Sequence, residues 1–420
     1  MDTETRMQAA AARAYSIPLE QIDPSDPALQ QDETHEPYFA RLREEDPIHY
    51  TAESMFGSFW SVTRYEDIMR MELDTQRFSS DSRRGGITIM DSNAAASLPM
   101  FIAMDPPKHD EQRKVVSPVV APENLARLSG LIRQRTADTL DSLPLNQTFD
   151  WVPSVSINLT TKMLATLFDF PFEDRHLLTH WSDVTTALPG TGIIDSEEQR
   201  MAELQQCAQY FTRLWNERVN AEPRSDLISM LAHSDKTRNM TPEEYLGNVV
   251  LLIVGGNDTT RNTMSGSVLA LNRFPDEYRK LCSQPELLQS TAVPEFIRLQ
   301  TPLAHMRRTA TQDTELHGKH IRAGQKVVMW YISSNREPGK FDDPSRLRLD
   351  RENARQHQSF GFGIHRCVGN RLAEMQVRIL WEEILKRWPR PQQIEVVGEP
   401  ERVFSPFVRG YTSLPVRINA

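Results

Sequence analysis

Apolar residues recur at helical spacing along most of the chain, and the longest run opens at Thr241 and stops at Phe274-Pro275. Thr241-Pro242-Glu243-Glu244 reads as a capping box with proline at the first helical position. Leu246, Val249, Val250, Ile253, Met264, Val268 and Leu271 keep the period, which predicts one helix about 50 Å long, enough to cross a domain. Its middle, Gly255-Gly256-Asn257-Asp258-Thr259-Thr260, breaks the pattern. Each glycine there costs about 1 kcal/mol relative to alanine, and the polar side chains compete for backbone hydrogen bonds. Such a breach marks either a tolerated kink or a functional position, where a flat ligand and a small gas molecule need room against the backbone.

The remaining pattern is mostly helical. Ala373, Val377, Leu380, Ile384 and Trp388, with Leu372 and Ile379 beside them, predict a helix buried over a wide arc after Cys367. Further helices are expected at Tyr38 to Asp46 and between Glu123 and Leu231, with breaks at Pro144, Pro171, Pro189-Gly190 and Pro223. Short strands are expected at Ile48-His49-Tyr50 and Phe59 to Val62 about Gly57, around Gly318 and Gly324, and in the tail from Val403 to Ile418. Residues 79–100 read as a long loop, and Trp181 to Ser196 as a second loop able to act as a lid. A short helix near Gln8 to Tyr15, then Pro18, Pro24 and Pro27, makes residues 1–34 an N-terminal arm and leaves 35–420 as one domain. The class is mainly α with small β-sheets.

Composition narrows the function. Across 420 residues, 39% hydrophobic and 25% charged content provides for an ordinary core, and a net charge of −9 disfavours nucleic acid. No run of 18 apolar residues occurs, and Met1 to Arg13 is polar and alanine-rich, so neither a membrane anchor nor a signal peptide is expected. Cys207, Cys282 and Cys367 are far apart and odd in number, which fits a reducing compartment. A cytoplasmic protein is the expectation.

Candidate chemistry concentrates at Phe360-Gly361-Phe362-Gly363-Ile364-His365-Arg366-Cys367-Val368-Gly369-Asn370-Arg371. Glycines allow tight turns and close approach to a flat ligand, while a helix starting near Val368 favours an anion at its N-terminus. Cys367 there suits a metal-ligating thiolate. A lone sulfur does not make the four-ligand set of zinc or an iron–sulfur cluster, whereas haem needs only one; a buried structural cysteine is the alternative. Elsewhere, His109 and Arg113 sit one turn apart, where two cationic donors could hold a carboxylate. Glu295 and Arg298 share a helix face, a pairing that on its own contributes only a few tenths of a kcal/mol.

The run from Phe360 through Gly363, His365, Cys367 and Gly369 resembles the haem-ligand loop of the cytochrome P450 superfamily. The resemblance extends from about residue 35 to 418, with four motifs in order. It implies one haem-thiolate domain over 35–420 carrying haem b (iron protoporphyrin IX) on Cys367. His109, Arg113, Arg308 and His365 become propionate partners, Gly255 and Gly256 give the cofactor room, and Phe360 and Gly369 belong to its loop. Glu295 and Arg298 match a structural pair on the cysteine side. Arg308-Thr309-Ala310-Thr311-Gln312-Asp313 resembles a family run in which glutamate is usual at the position of Gln312, a departure that touches a local charge contact.

Within the superfamily, Leu252 to Asn262 and Gly363 to Met375 look like the bacterial alkane terminal hydroxylases. That likeness implies insertion of one oxygen atom of O₂ into the terminal C–H bond of a medium-chain alkane or similar aliphatic chain, with Asp258 and Thr259 as the acid and alcohol that handle protons. Ile87, Ile89, Met90, Leu188, Leu251, Val254, Leu303, Met306, Phe404 and Phe407 are the pocket candidates, Leu303 and Val254 forming its constriction. No flavin fingerprint or cluster motif occurs, so electrons are expected from a [2Fe-2S] ferredoxin, its reductase and NAD(P)H, meeting a monomer near Arg366, Arg113 or Lys114. Terpene or fatty-acid substrates, a peroxide-driven enzyme, and a non-catalytic haem-thiolate binder or gas sensor are the alternatives; the Asp258-Thr259 pair favours the oxygen-activating enzyme.

Overall fold

The long helix is the axis of the molecule. The structure, a computed structural model, describes residues 3–91 and 98–419. Pro242–Arg273 is a single helix of 32 residues, and the Thr241 hydroxyl caps it by accepting from the Glu244 N–H. Gly255-Gly256 does not interrupt it, because its polar residues find partners on neighbouring helices. Asn257 accepts from the Thr160 hydroxyl of the helix Asn158–Phe168 at 3.0 Å, and the Ser265 and Ser156 hydroxyls meet at 2.8 Å. Side-chain bonds that would unravel an isolated helix here tie it to the bundle.

Two cores flank the polar stretch. Toward the C-terminus, Met264, Val268 and Leu271 pack with Val377, Leu380, Trp381 and Ile384 of the helix Asn370–Arg387 and with Phe296 and Ile297 of Ala292–Gln300. Toward the N-terminus, Tyr245, Val249 and Ile253 pack with Leu164, Phe168, Trp181 and Phe211. The ligand space lies between them. The expected helix after Cys367 is therefore present, buried over the arc its spacing predicts.

A five-stranded sheet lies to one side, in the order Ile48–Thr51, Phe59–Val62, Lys326–Met329, Met306–Ala310, Phe78–Ser79. The first two strands are antiparallel, and Phe59–Val62 pairs in parallel with Lys326–Met329. Met306–Ala310 carries Arg308 toward the ligand space. The smaller strand pairs include Thr314–Leu316 with Lys319–Ile321 around Gly318, as expected.

The N-terminal helix is longer than expected, and two further expectations change. The N-terminal helix spans Thr3–Ser16 and packs on Glu36–Glu45, sharing an apolar cluster of Ala10, Ala14, Ile22, Tyr38 and Leu42. Trp181 through Thr186 is not loop but the end of the helix His176–Thr186: Leu178, Trp181 and Val184 are buried at helical spacing, and the Thr185 and Thr186 hydroxyls bond back to carbonyls one turn earlier. Only Ala187 to Ser196 is loop. In the segment 79–100, Ser82–Arg84 forms one 3-10 turn, and residues 92–97 lie outside the described residues.

Glu295 and Arg298 make a buried bidentate pair, both side chains fully inaccessible. Arg298 also donates to the carbonyls of Asn335 and Pro344, and Arg351 donates to Glu295. This knot holds the segment leading to the cysteine loop. Burial makes the pair far more costly to break than the same pair at a surface, since removing one partner leaves a charge without water.

Candidate functional site

A cavity runs between the long helix and the cysteine loop. Its walls are largely apolar, with Gly255, Gly256 and Thr259 on one side and Phe360, Cys367, Val368 and Gly369 opposite. Seven of the ten expected pocket residues line it: Ile87, Met90, Leu251, Val254, Leu303, Met306 and Phe407. The other three, Ile89, Leu188 and Phe404, do not; they pack in an adjoining cluster with Phe39, Phe59 and Trp330, which Met90 also joins. Apolar character alone did not separate a cavity wall from the layer behind it. Residues missed by the sequence reading include Phe101, Leu164, Thr186 and Thr263, whose polar or core-like spacing carries no local signal.

The two adjacent glycines differ. A Cβ on Gly255 would meet nothing within 4 Å, so this position opens the cavity. A Cβ on Gly256 would stand 2.6 Å from Leu164 Cδ2. That glycine lets the helix Asn158–Phe168 approach, and its main service is packing.

At the cysteine, Gly361 and Gly363 adopt φ of 68° and 65°, and the Cys367 N–H donates to the Phe360 carbonyl at 2.8 Å. The helix behind it starts at Asn370, and the Gly369 and Asn370 N–H groups donate to the sulfur. Burial nevertheless raises the Cys367 thiol above its ordinary range, against the opposing pull of those N–H groups and of Arg113 and Arg366. A metal cation bound at this sulfur would favour its ionised form, together with those N–H donors and the two guanidinium groups.

The polar end of the cavity gathers Arg113, Arg308 and His365, with His109 stacked edge-on to His365 at 4.3 Å between ring centres. His365 Nε2 meets the Ser80 hydroxyl at 3.0 Å, while its Nδ1 is buried without a partner. His109 Nδ1 meets Asp110 at 2.7 Å, and its Nε2 is likewise buried and unpartnered. Burial, with Arg113 and Arg308 close by, lowers both imidazoles below their usual range. Arg113 donates to the Arg366 carbonyl, and Arg308 is paired with Glu72 at 2.7 Å.

Behind the wall, Asp258 is fully buried and accepts from Ser182 at 3.1 Å and Thr186 at 3.3 Å. Arg261 lies 2.8 Å from Asp258 and also pairs with Asp183, which reaches toward solvent. Burial, reinforced by the charge of Asp183, raises the Asp258 carboxyl, with Arg261 and the hydroxyls opposing. Thr259 faces the cavity and donates to the Gly255 carbonyl at 2.9 Å. Gln312 is exposed.

Haem fits these residues. One sulfur surrounded by N–H donors faces an apolar slot, and orphaned imidazole nitrogens with two guanidinium groups stand where acidic side groups of a planar macrocycle need partners. Fold and site define a haem-thiolate protein. A family model described as Cytochrome P450 matches residues 286–391. Linalool 8-monooxygenase of Pseudomonas putida is 35% identical over 408 residues, covering 95% of this chain and 99% of that one. Methyl-branched lipid omega-hydroxylase of Mycobacterium tuberculosis is 31% identical, covering 92% and 91%. Among solved structures, CYP153D17 from Sphingomonas sp. PAMC 26605 superposes with a TM-score of 0.89 at 47% identity, covering 96% and 100%. The chain belongs to the cytochrome P450 family of haem-thiolate monooxygenases. Among the described residues, no helix is long and apolar enough to cross a membrane.

Proposed function

We propose that the protein hydroxylates the terminal carbon of a linear aliphatic chain, so that R–CH₃, O₂, two electrons and two protons give R–CH₂OH and water. The observation that carries this reading is the apolar wall formed by Ile87, Met90, Leu251, Val254, Leu303, Met306 and Phe407. Such a wall binds by area, at about 0.8 kcal/mol per buried CH₂, so affinity rises with chain length until the channel is full. Area alone cannot select a carbon. Leu303 and Val254 are assigned the constriction that admits only a methyl end. The 47% identity to CYP153D17 and the likeness to a lipid omega-hydroxylase support the same reading.

Haem held by Cys367, Arg113, Arg308 and His365 supplies the oxygen chemistry. The chain's own residues manage protons and water. Asp258, whose carboxyl burial raises, passes protons inward through the Thr186 hydroxyl, which touches both the acid and the cavity. The Thr259 hydroxyl donates to the Gly255 carbonyl, which leaves its oxygen lone pairs to hold water. Electrons come from a [2Fe-2S] ferredoxin with its reductase and NAD(P)H. Lys114 is exposed and Arg366 half-buried on the cysteine side, whereas Arg113 is turned inward and is withdrawn from that docking role.

Incubation with octane, O₂, NADH and a ferredoxin system, followed by separation of the alcohols, tests the reading. 1-Octanol is expected; a mixture dominated by secondary alcohols rejects terminal selectivity. Turnover of a terpene alcohol with none on linear chains favours the second reading, which the 35% identity to linalool 8-monooxygenase supports.

A further inference from the structure

Glu72 lies on the helix Tyr65–Leu73, only 1% exposed, and no sequence motif drew attention to it. Its carboxylate accepts from Arg308 Nη2 at 2.7 Å and from the Tyr331 hydroxyl. Arg308 and Tyr331 both face the cavity. The same residue touches the cysteine loop: a Cβ on Gly361 would stand 3.2 Å from Glu72 Oε1, and one on Gly363 would stand 2.8 Å from the Glu72 carbonyl oxygen. The loop's two left-handed glycines are thus fitted around Glu72.

We infer that Glu72 is a positioning residue that sets the haem reduction potential by dividing the guanidinium of Arg308 between itself and the cofactor. The inference rests on haem occupying this cavity through Cys367. A guanidinium carries five N–H donors. Arg308 spends one on the Arg307 carbonyl and one on Glu72, and the rest are available to an acidic side group of the cofactor. With Glu72 ionised, the buried pair is close to neutral toward the iron. Without that charge, Arg308 is a naked cation in a low-dielectric wall, and it stabilises the extra electron of the reduced cofactor. Tyr331 works in the opposite sense, because its hydroxyl draws charge from the carboxylate.

Two substitutions therefore shift the potential in opposite directions. Glu72→Gln removes the charge with nearly unchanged shape and is expected to raise the midpoint potential. Tyr331→Phe leaves the carboxylate less neutralised and is expected to lower it. Glu72→Asp, which keeps the charge, is expected to move the potential back toward the wild-type value. The measurement is a spectroelectrochemical titration of each haem-loaded variant, with the reduced CO-complex spectrum as the check that Cys367 still ligates haem. A merely structural Glu72 would lower haem retention and melting temperature in Glu72→Gln while leaving the potential where it was, and that outcome overturns the inference. Shifts of the same sign in Glu72→Gln and Tyr331→Phe overturn it as well. Should Glu72→Gln fail to load haem, Tyr331→Phe alone decides: a lowered potential supports the inference and an unchanged or raised one rejects it. A wild-type protein lacking the thiolate-type CO spectrum would instead refute haem ligation by Cys367, separately from any claim about Glu72.

Discussion

Alanine substituted at two neighbouring positions of the long helix should have opposite effects. In a helix interior, replacing glycine by alanine stabilises by about 1 kcal/mol through propensity alone. For Gly255→Ala nothing opposes that gain, because the new Cβ has no neighbour within 4 Å. For Gly256→Ala the new Cβ falls 2.6 Å from Leu164 Cδ2, and Leu164 is 1% exposed inside the cluster with Phe168, Trp181 and Phe211. Overpacking a filled core costs about 1–3 kcal/mol, so the net effect of Gly256→Ala is a loss of about 0–2 kcal/mol. The two variants should differ by about 1–3 kcal/mol in unfolding free energy, read from urea midpoints at unchanged slope. Function should divide the other way. The Gly255→Ala methyl projects into the cavity and should alter the spectral titration with alkanes, while Gly256→Ala should leave it close to wild type. A Gly256→Ala protein as stable as Gly255→Ala would show that the helix contact at Leu164 is looser than the structure has it.

Further outcomes follow from the buried polar groups. Thr259→Ala should retain substrate binding and reduction but divert electrons to hydrogen peroxide; an unchanged ratio of product to NADH consumed removes Thr259 from proton handling. Glu295→Gln leaves Arg298 and Arg351 buried without a counter-charge and should cost about 3–5 kcal/mol, measured as a drop in urea midpoint with loss of haem. His305 should make stability depend on pH well before carboxylates titrate. Its Nδ1 faces the Pro406 carbonyl and its Nε2 accepts from the Ile89 N–H, roles that only a neutral ring fills together, and burial holds its pKa down to about 3. The unfolded chain takes up the proton near pH 6.5 and the folded one does not. The contribution is thus fully present above about pH 6.5 and is lost on acidification at up to about 1.4 kcal/mol per pH unit. Midpoints at pH 7.5, 6.0 and 5.0 in wild type and His305→Gln check this; parallel slopes would mean that His305 protonates in the fold.

The long helix was legible because its evidence is local: a cap, a proline, a steady apolar period and a stop, all within the element. The same holds for the cysteine loop, where glycines and the following helix start lie within a few residues of Cys367. The loop assigned to Trp181 through Thr186 was misread because threonines and serines look like turn formers, whereas here the threonine hydroxyls bond back to carbonyls of their own helix. Ile89, Leu188 and Phe404 were placed in the pocket because hydrophobicity reports burial and says nothing of which void a side chain faces.

By itself, the sequence determined the helical axis, the turn-forming loop around Cys367, and the short strands at Ile48–Thr51 and Phe59–Val62, since each depends on spacing and backbone preference over a few residues. Only the tertiary structure decided how charge and space are distributed around that sulfur. Asp258 takes its hydroxyl donors from residues 76 and 72 positions away, and Arg308 takes its counter-charge from a glutamate 236 positions away. Whether a polar group is costly or useful depends on what water it loses and which partner replaces it. Both are set when distant segments pack together, which is why Gly255 and Gly256, alike and adjacent in sequence, serve a cavity and a helix contact respectively.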